Sequence, residues 1–318
     1  MSALNDLAER LRAAGALTAD EVLALRRQMW PDGRIGEDEA DLLFALNDAA
    51  KDPSREWVDF FVEALTHHIV AQTEPRGYID DAKAAWLSER IARDGKVESS
   101  AELELLVKVL ESATAAPQGL KSFALAEIER AVLTGAGPTR CGGALEPGRV
   151  SEAEVNLLRR LIFAQAGDGP GAVSAAEAEA LFRIKDASLG ADNAAGWQQL
   201  FVQGVGNHLM AYASYEPLER DEAARLEAFM DDTSVRVGGF FSRVAGAAFS
   251  GAVFRGQSKV PAADHDAAVA AANAVTATEN AWLKARIDAD DALDPLEQAL
   301  LDFLAAESGS ADDPRQTP

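Results

Sequence analysis

Apolar residues return along much of this chain in the three-and-four spacing of an amphipathic helix, as in WVDFFVEALTHHIVA from Trp57 to Ala71. No stretch alternates apolar and polar residues convincingly enough to predict a strand. Helix starts are written into the sequence as well. Thr18 with Glu21 and Ser151 with Glu154 have the Ser/Thr-x-x-Glu spacing of a capping box, in which side chains satisfy the free amides of a first turn. The pattern predicts an all-α protein, an internally duplicated helical bundle built from helix-turn-helix elements.

The duplication shows when the chain is set against itself. TADEVLALRR from Thr18 returns as SEAEVNLLRR from Ser151, and EDEADLLFALNDAA returns as EAEALFRIKDA, pairing Glu39 with Glu177, Phe44 with Phe182 and Asp48 with Asp186. Trp57 to Ala71 matches Trp197 to Ala211 without a gap, so Trp57 meets Trp197 and His68 meets His208. AAWLSERIARDGKVESSAELELL then matches NAWLKARIDADDALDPLEQALL, pairing Trp86 with Trp282 and Asp94 with Asp290. The boundaries that follow are an N-terminal helical domain at 1–134, a Gly/Pro-rich linker at 135–149, a C-terminal helical domain at 150–308 and a disordered tail at 309–318. The second domain carries an insertion at 233–272 that the first lacks.

Composition narrows the function. A net charge of -22 disfavours nucleic-acid binding, which needs concentrated Lys and Arg to displace phosphate counterions. One cysteine, Cys141, excludes an intramolecular disulfide and a multi-cysteine zinc site. The first residues are amphipathic and charged, without the apolar core of a signal peptide, so a cytoplasmic location is expected.

Four acidic turns carry the candidate chemistry. With Gly33 at the sixth position of a calcium loop and Ile35 at the eighth, Asp32 falls fifth and Glu39 twelfth, but Gln28 and Trp30 occupy the early ligand places. The second turn offers Asp94 with Glu98 or Glu102, the third Asp168 and Glu177, and the fourth the densest set, Asp288, Asp290, Asp291 and Glu297. Tight reversal at Asp-Gly, core plugging by the aliphatic residue and a helix-dipole role for Glu account for most of this pattern without metal. No cofactor is demanded; Ca2+ or another divalent cation is the one these turns would take.

The segments DGRIGEDEADLL and IARDGKVESSAELELL resemble the tellurite-resistance TerB-like family, whose repeated element is Asp-Gly, a spacer, an aliphatic residue and a following Glu. The resemblance covers four short segments. It implies a helical bundle, acidic metal coordination at Asp32 and Glu39 and at Asp94 with Glu98 or Glu102, and association with stress or envelope-linked assemblies. The fourth turn departs from it, since Asp291 stands where the Gly belongs, and the third is expanded.

Trp57, Trp86, Trp197 and Trp282 read as core anchors, and His68 and His208 as partly buried packing residues. Glu63 and His67 share a helical face, which leaves a metal-dependent enzyme using Glu63, His67, His68 and the acidic turns as the weakest alternative. No nucleophile elbow or phosphate loop accompanies them. The halves differ most in the insertion, where residues 233–263 hold no acid but carry Arg236, Arg243, Arg255 and Lys259 beside Phe240, Phe241, Phe249 and Phe254. That segment reads as a buried hairpin, a partner-docking element or an amphipathic piece making peripheral membrane contact. The expected function is a non-catalytic adaptor or scaffold engaging protein partners, with a divalent-cation sensor as the alternative. No small-molecule substrate is indicated.

Overall fold

The computed structural model describes residues 18–50, 53–93, 95–140, 146–164, 172–210, 277–287 and 293–309, with Glu9 and Ala166. The fold is all-α. In chain order the helices are α1 Ala19–Met29, α2 Glu37–Ala49, α3 Arg55–Thr66, a π-helical turn His67–Gln72, α4 Asp81–Ile91, α5 Ser100–Ser112 and α6 Gln118–Thr134. There follow α7 Glu152–Ile162, α8 Ala175–Ala187, α9 Trp197–Met210, α10 Ala277–Ile287 and α11 Pro295–Gly309. Two-residue strands, β1 Ala92–Arg93 and β2 Lys96–Val97, pair antiparallel around the second acidic turn, where Gly95 takes φ +74°.

Helix starts follow the local sequence. Thr18, Ser99, Ser151 and Ser174 each accept from the backbone amide three residues on, and the Glu found there returns to the cap's own amide. At Gly36, which has no side chain to offer, only the return bond forms, from Gly36 N–H to Glu39 Oε2 at 2.7 Å. Asp294 caps α11 in the same way and receives Glu297 at 3.0 Å.

Positions paired by the sequence comparison make the same contacts. Phe44 packs edge-on against Phe61 and Trp86 at 5.4 and 5.9 Å, and Phe182 against Phe201 and Trp282 at 5.2 and 5.4 Å. His68 lies 5.6 Å from Trp86 and His208 5.3 Å from Trp282. Arg90 reaches Asp41 while Arg286 reaches Glu179, which also accepts from Trp282 Nε1 at 2.6 Å. Trp57 and Trp197 are fully enclosed, so the large rings fix the crossing of α2 and α3 in one half and of α8 and α9 in the other.

The hydrophobic core is continuous, running from α1 to α11 through α5, α6 and α7, with α6 packed on both α7 and α8. Ion pairs stitch the same contact: Arg160 to Glu104 at 2.6 Å and to Glu111 at 3.0 Å, and Arg183 to Glu129 at 2.6 Å. Arg160 and Lys108 hold the Glu111 carboxyl below its ordinary range although burial works against this. Within the segment read as a linker, Arg140 is buried against Glu154 at 2.9 Å, and Gly148 adopts φ +78° where its backbone crosses the carbonyl of Ala187.

Candidate functional site

The helix that carries Trp57, α3, does not continue as an α-helix through His68. It widens into the π-helical turn His67–Gln72, whereas α9 stays α-helical through His208 to Met210. What holds the wider turn is the first acidic turn across from it. Gln72 Oε1 accepts from Ile35 N–H at 2.8 Å and its Nε2 donates to Ile35 O at 3.3 Å. His68 Nδ1 donates to the same carbonyl at 2.7 Å, and His67 Nδ1 donates to Gln72 Oε1 at 2.9 Å. Since both partners are acceptors, each ring carries a proton on Nδ1. His208 Nδ1 makes the equivalent bond to Val173 O at 3.0 Å.

Three clefts open beside this turn, and each is lined by π-helical residues. The first, about 460 Å3, gathers Asp32, Arg34, Glu37 and Glu39 of the acidic turn with His68 and Gln72. A second of about 220 Å3 shares Glu37, His68 and Thr73 and adds Glu74, Asp80, Lys83 and Trp86. On the other side, a cleft of about 600 Å3 lies between α3, α5 and α7, with His67, Val70 and Ala71 at one wall and Glu63, Glu104 and Arg160 at its rim. π-Helical turns recur at functional sites because the extra residue breaks the regular packing surface. Here His68 lines the first two clefts and His67 the third.

Electrostatics divide the clefts. The first two hold five carboxylates against Arg34 and Lys83, and Lys83 is already spent: its ammonium donates to the carbonyls of Thr73, Pro75 and Tyr78 at 2.7, 2.8 and 2.9 Å. The third cleft is balanced, because Arg160 pairs with Glu104 and Glu111, and Glu63 pairs with Arg26 at 2.8 Å.

The glutamates proposed from sequence as metal ligands have a shared position. Glu39, Glu102, Glu177 and Glu297 all stand third in their helices with Oε2 on the amide of the capping residue, at 2.7, 3.0, 2.8 and 3.0 Å. Their other oxygens differ. Glu177 Oε1 lies 2.7 Å from Lys121 Nζ, both side chains enclosed, an ion pair by proximity rather than an aligned hydrogen bond. Glu297 Oε1 accepts from Lys185 at 2.6 Å. Glu102 meets no such cation among the described residues; burial pushes its carboxyl above the ordinary range, the nearby Asp48 adds to this, and the Ser99 hydrogen bonds only partly oppose it. Asp32 turns back to accept from Arg34 N–H at 3.0 Å, and Glu98 is exposed. Asp94, Asp288, Asp290 and Asp291 lie outside the described residues, as do Asp168, Cys141 and the whole of Arg236, Phe240, Phe241, Arg243, Phe249, Phe254, Arg255 and Lys259. Among the described residues, no three His, Cys, Asp or Glu stand close enough together to hold one ion.

Sequence reading passed over Gln72, Glu37 and Lys185. The Lys185 signal lay in the self-comparison: it stands where the first half has Asn47. Asn47 donates to Ser99 at 3.1 Å and accepts from Trp57 Nε1 at 3.2 Å. Lys185, having no acceptor, instead donates to Asp294 and Glu297 at 2.6 Å each, and the indole N–H of Trp197 is left without a partner among the described residues.

No described helix is long and apolar enough to cross a membrane. Comparison with known protein families, with curated proteins and with solved structures gave no match.

Proposed function

We propose that the protein is a non-catalytic adaptor that docks a protein partner on the face bearing the π-helical turn. The observation carrying this reading is the convergence of three clefts on His67–Gln72, two of them strongly acidic, while the matching helix α9 keeps a regular surface through Met210. A chain of net charge -22 attracts basic surfaces at long range, and a cleft lined by carboxylates focuses that field where docking occurs. The resemblance to TerB-like proteins adds stress or envelope-linked assemblies as the setting. Site-specific photocrosslinking tests the face: a photoreactive residue at Thr73 or Arg34 should give a discrete adduct in cells, and one at exposed Leu189 should not. Equal labelling from both positions would remove the proposal.

A second reading, the divalent-cation sensor, rests on Asp32, Glu37, Glu39 and His68 lining one cleft, although no three of them stand close enough together to hold one ion as they lie. Calorimetry and thermal melts with Ca2+, Mg2+ and Zn2+ check it; absence of heat and of any change in melting temperature at millimolar ion would reject it.

A further inference from the structure

Three of this chain's capping glutamates use one carboxylate oxygen for the helix amide and the other for a basic side chain: Glu154 with Arg140 at 2.9 Å, Glu177 with Lys121 at 2.7 Å, and Glu297 with Lys185 at 2.6 Å. Each cation arrives on another segment of polypeptide packed over the capped helix. Glu39 is the sequence counterpart of Glu177 and caps its helix through the same oxygen, yet its Oε1 meets no cation among the described residues. Instead it lines the 460 Å3 cleft, half-buried, beside Asp32, Glu37 and His68. The cleft is lined by the three carboxylates of Asp32, Glu37 and Glu39 and, of Lys and Arg, by Arg34 alone.

We infer that Glu39 is a receptor for a lysine ammonium or arginine guanidinium carried by a partner polypeptide, completing from outside the pair that Lys121 and Glu177 make within the chain. The chemistry is the same in both places: a carboxylate whose one oxygen is pinned at a helix N-terminus presents the other in a fixed direction, and a charge-assisted bond forms with little further ordering. The inference rests on the adaptor reading and gives it a ligand chemistry.

The probe is an end-capped tri-lysine peptide titrated into the full-length protein, read by the amide shift of Gly36 and the ring nitrogen shifts of His68, with the Nε-acetylated peptide as control. Saturable shifts in the millimolar range with tri-lysine alone are expected, weakened about tenfold in Glu39→Gln, whose side-chain oxygen still accepts from Gly36 and whose fold is thereby retained. Asp32→Asn provides a second variant, with a smaller loss expected. Shifts that do not saturate, that persist unchanged in Glu39→Gln, or that acetylated peptide reproduces would overturn the inference. So would Ca2+ giving the same shifts at lower concentration, which assigns the cleft to a metal. Glu39→Gln also separates this inference from the reading beneath it: undiminished crosslinking from Thr73 would leave the docking face in place and remove only the cation chemistry.

Discussion

Replacing Lys185 by methionine, a residue of similar length, removes the cation that faces Asp294 and Glu297 among the described residues. The ammonium lies 2.6 Å from each, with the lysine side chain 1% exposed and the carboxylates 8% and 2%. At that depth neither acid can recover its solvation, so the variant carries two desolvated carboxylates with no counter-charge. Breaking a buried pair from one side costs roughly 3–5 kcal/mol, far more than the pair's net contribution. The third partner, Asp186, is about half exposed and adds little to that figure. The pH dependence has a definite sign. Burial works against ionisation of Asp294, but the Lys185 hydrogen bond outweighs it and holds the carboxyl below its ordinary range. The stabilisation is therefore present above the unfolded carboxylate pKa near 4 and is lost as pH falls through the lower folded value. Urea unfolding followed by tryptophan fluorescence should show the full loss at pH 7 and a gap between wild type and Lys185→Met that closes below about pH 4. Lys185→Asn combined with Asp294→Ser copies the Asn47–Ser99 pair and gives Trp197 Nε1 an acceptor, so the double variant should recover at least half of the loss. A loss under about 1 kcal/mol at pH 7, or a double variant no better than the lysine substitution alone, would refute this reasoning.

Other consequences can be measured in the same way. Glu102→Gln keeps an acceptor for Ser99 N–H and removes a charge whose carboxyl burial holds high; the cost of that charge grows as pH rises from the unfolded value through the folded one, so the variant should match wild type near pH 4 and exceed it at pH 7, by unfolding midpoints. Trp57→Phe strands the Asn47 oxygen while Trp197→Phe strands nothing, so the first should be the more destabilising by about 1 kcal/mol in denaturant titrations. Gly148→Ala would place a Cβ 2.4 Å from the Ala187 carbonyl oxygen at φ +78°, and calorimetric melting should show a loss of roughly 2–4 kcal/mol from left-handed strain and overpacking together.

The helix starts were legible because a capping box is a contact between residues three apart, which neither chain length nor topology alters. The same locality explains why the glutamates invite two interpretations. Glu39, Glu177 and Glu297 fall at the twelfth place of a calcium loop and at the third place of a helix at once, so they satisfy both patterns before any fold is known, while Glu102 comes one residue late for the loop. The tryptophan anchors Trp57 and Trp197 were legible too, since a large ring at matching places in both halves has few uses other than packing where helices cross.

Tertiary structure alone decided which oxygen of each glutamate is free and what meets it, because Lys185 and Glu297 stand 112 positions apart and Lys121 and Glu177 come from different halves. It also decided the π-helical turn: HHIVAQ has no local feature that forbids an ordinary α-helix, and what holds the wider turn is a set of bonds from His67, His68 and Gln72 to each other and to Ile35, more than thirty residues away. Sequence thus determined where the helices begin and which rings they bury, through contacts within one turn or volume that must leave water. The position of each charge relative to its partner was left to the packing of helices remote in the chain, and that packing is what leaves Glu39 facing an open cleft.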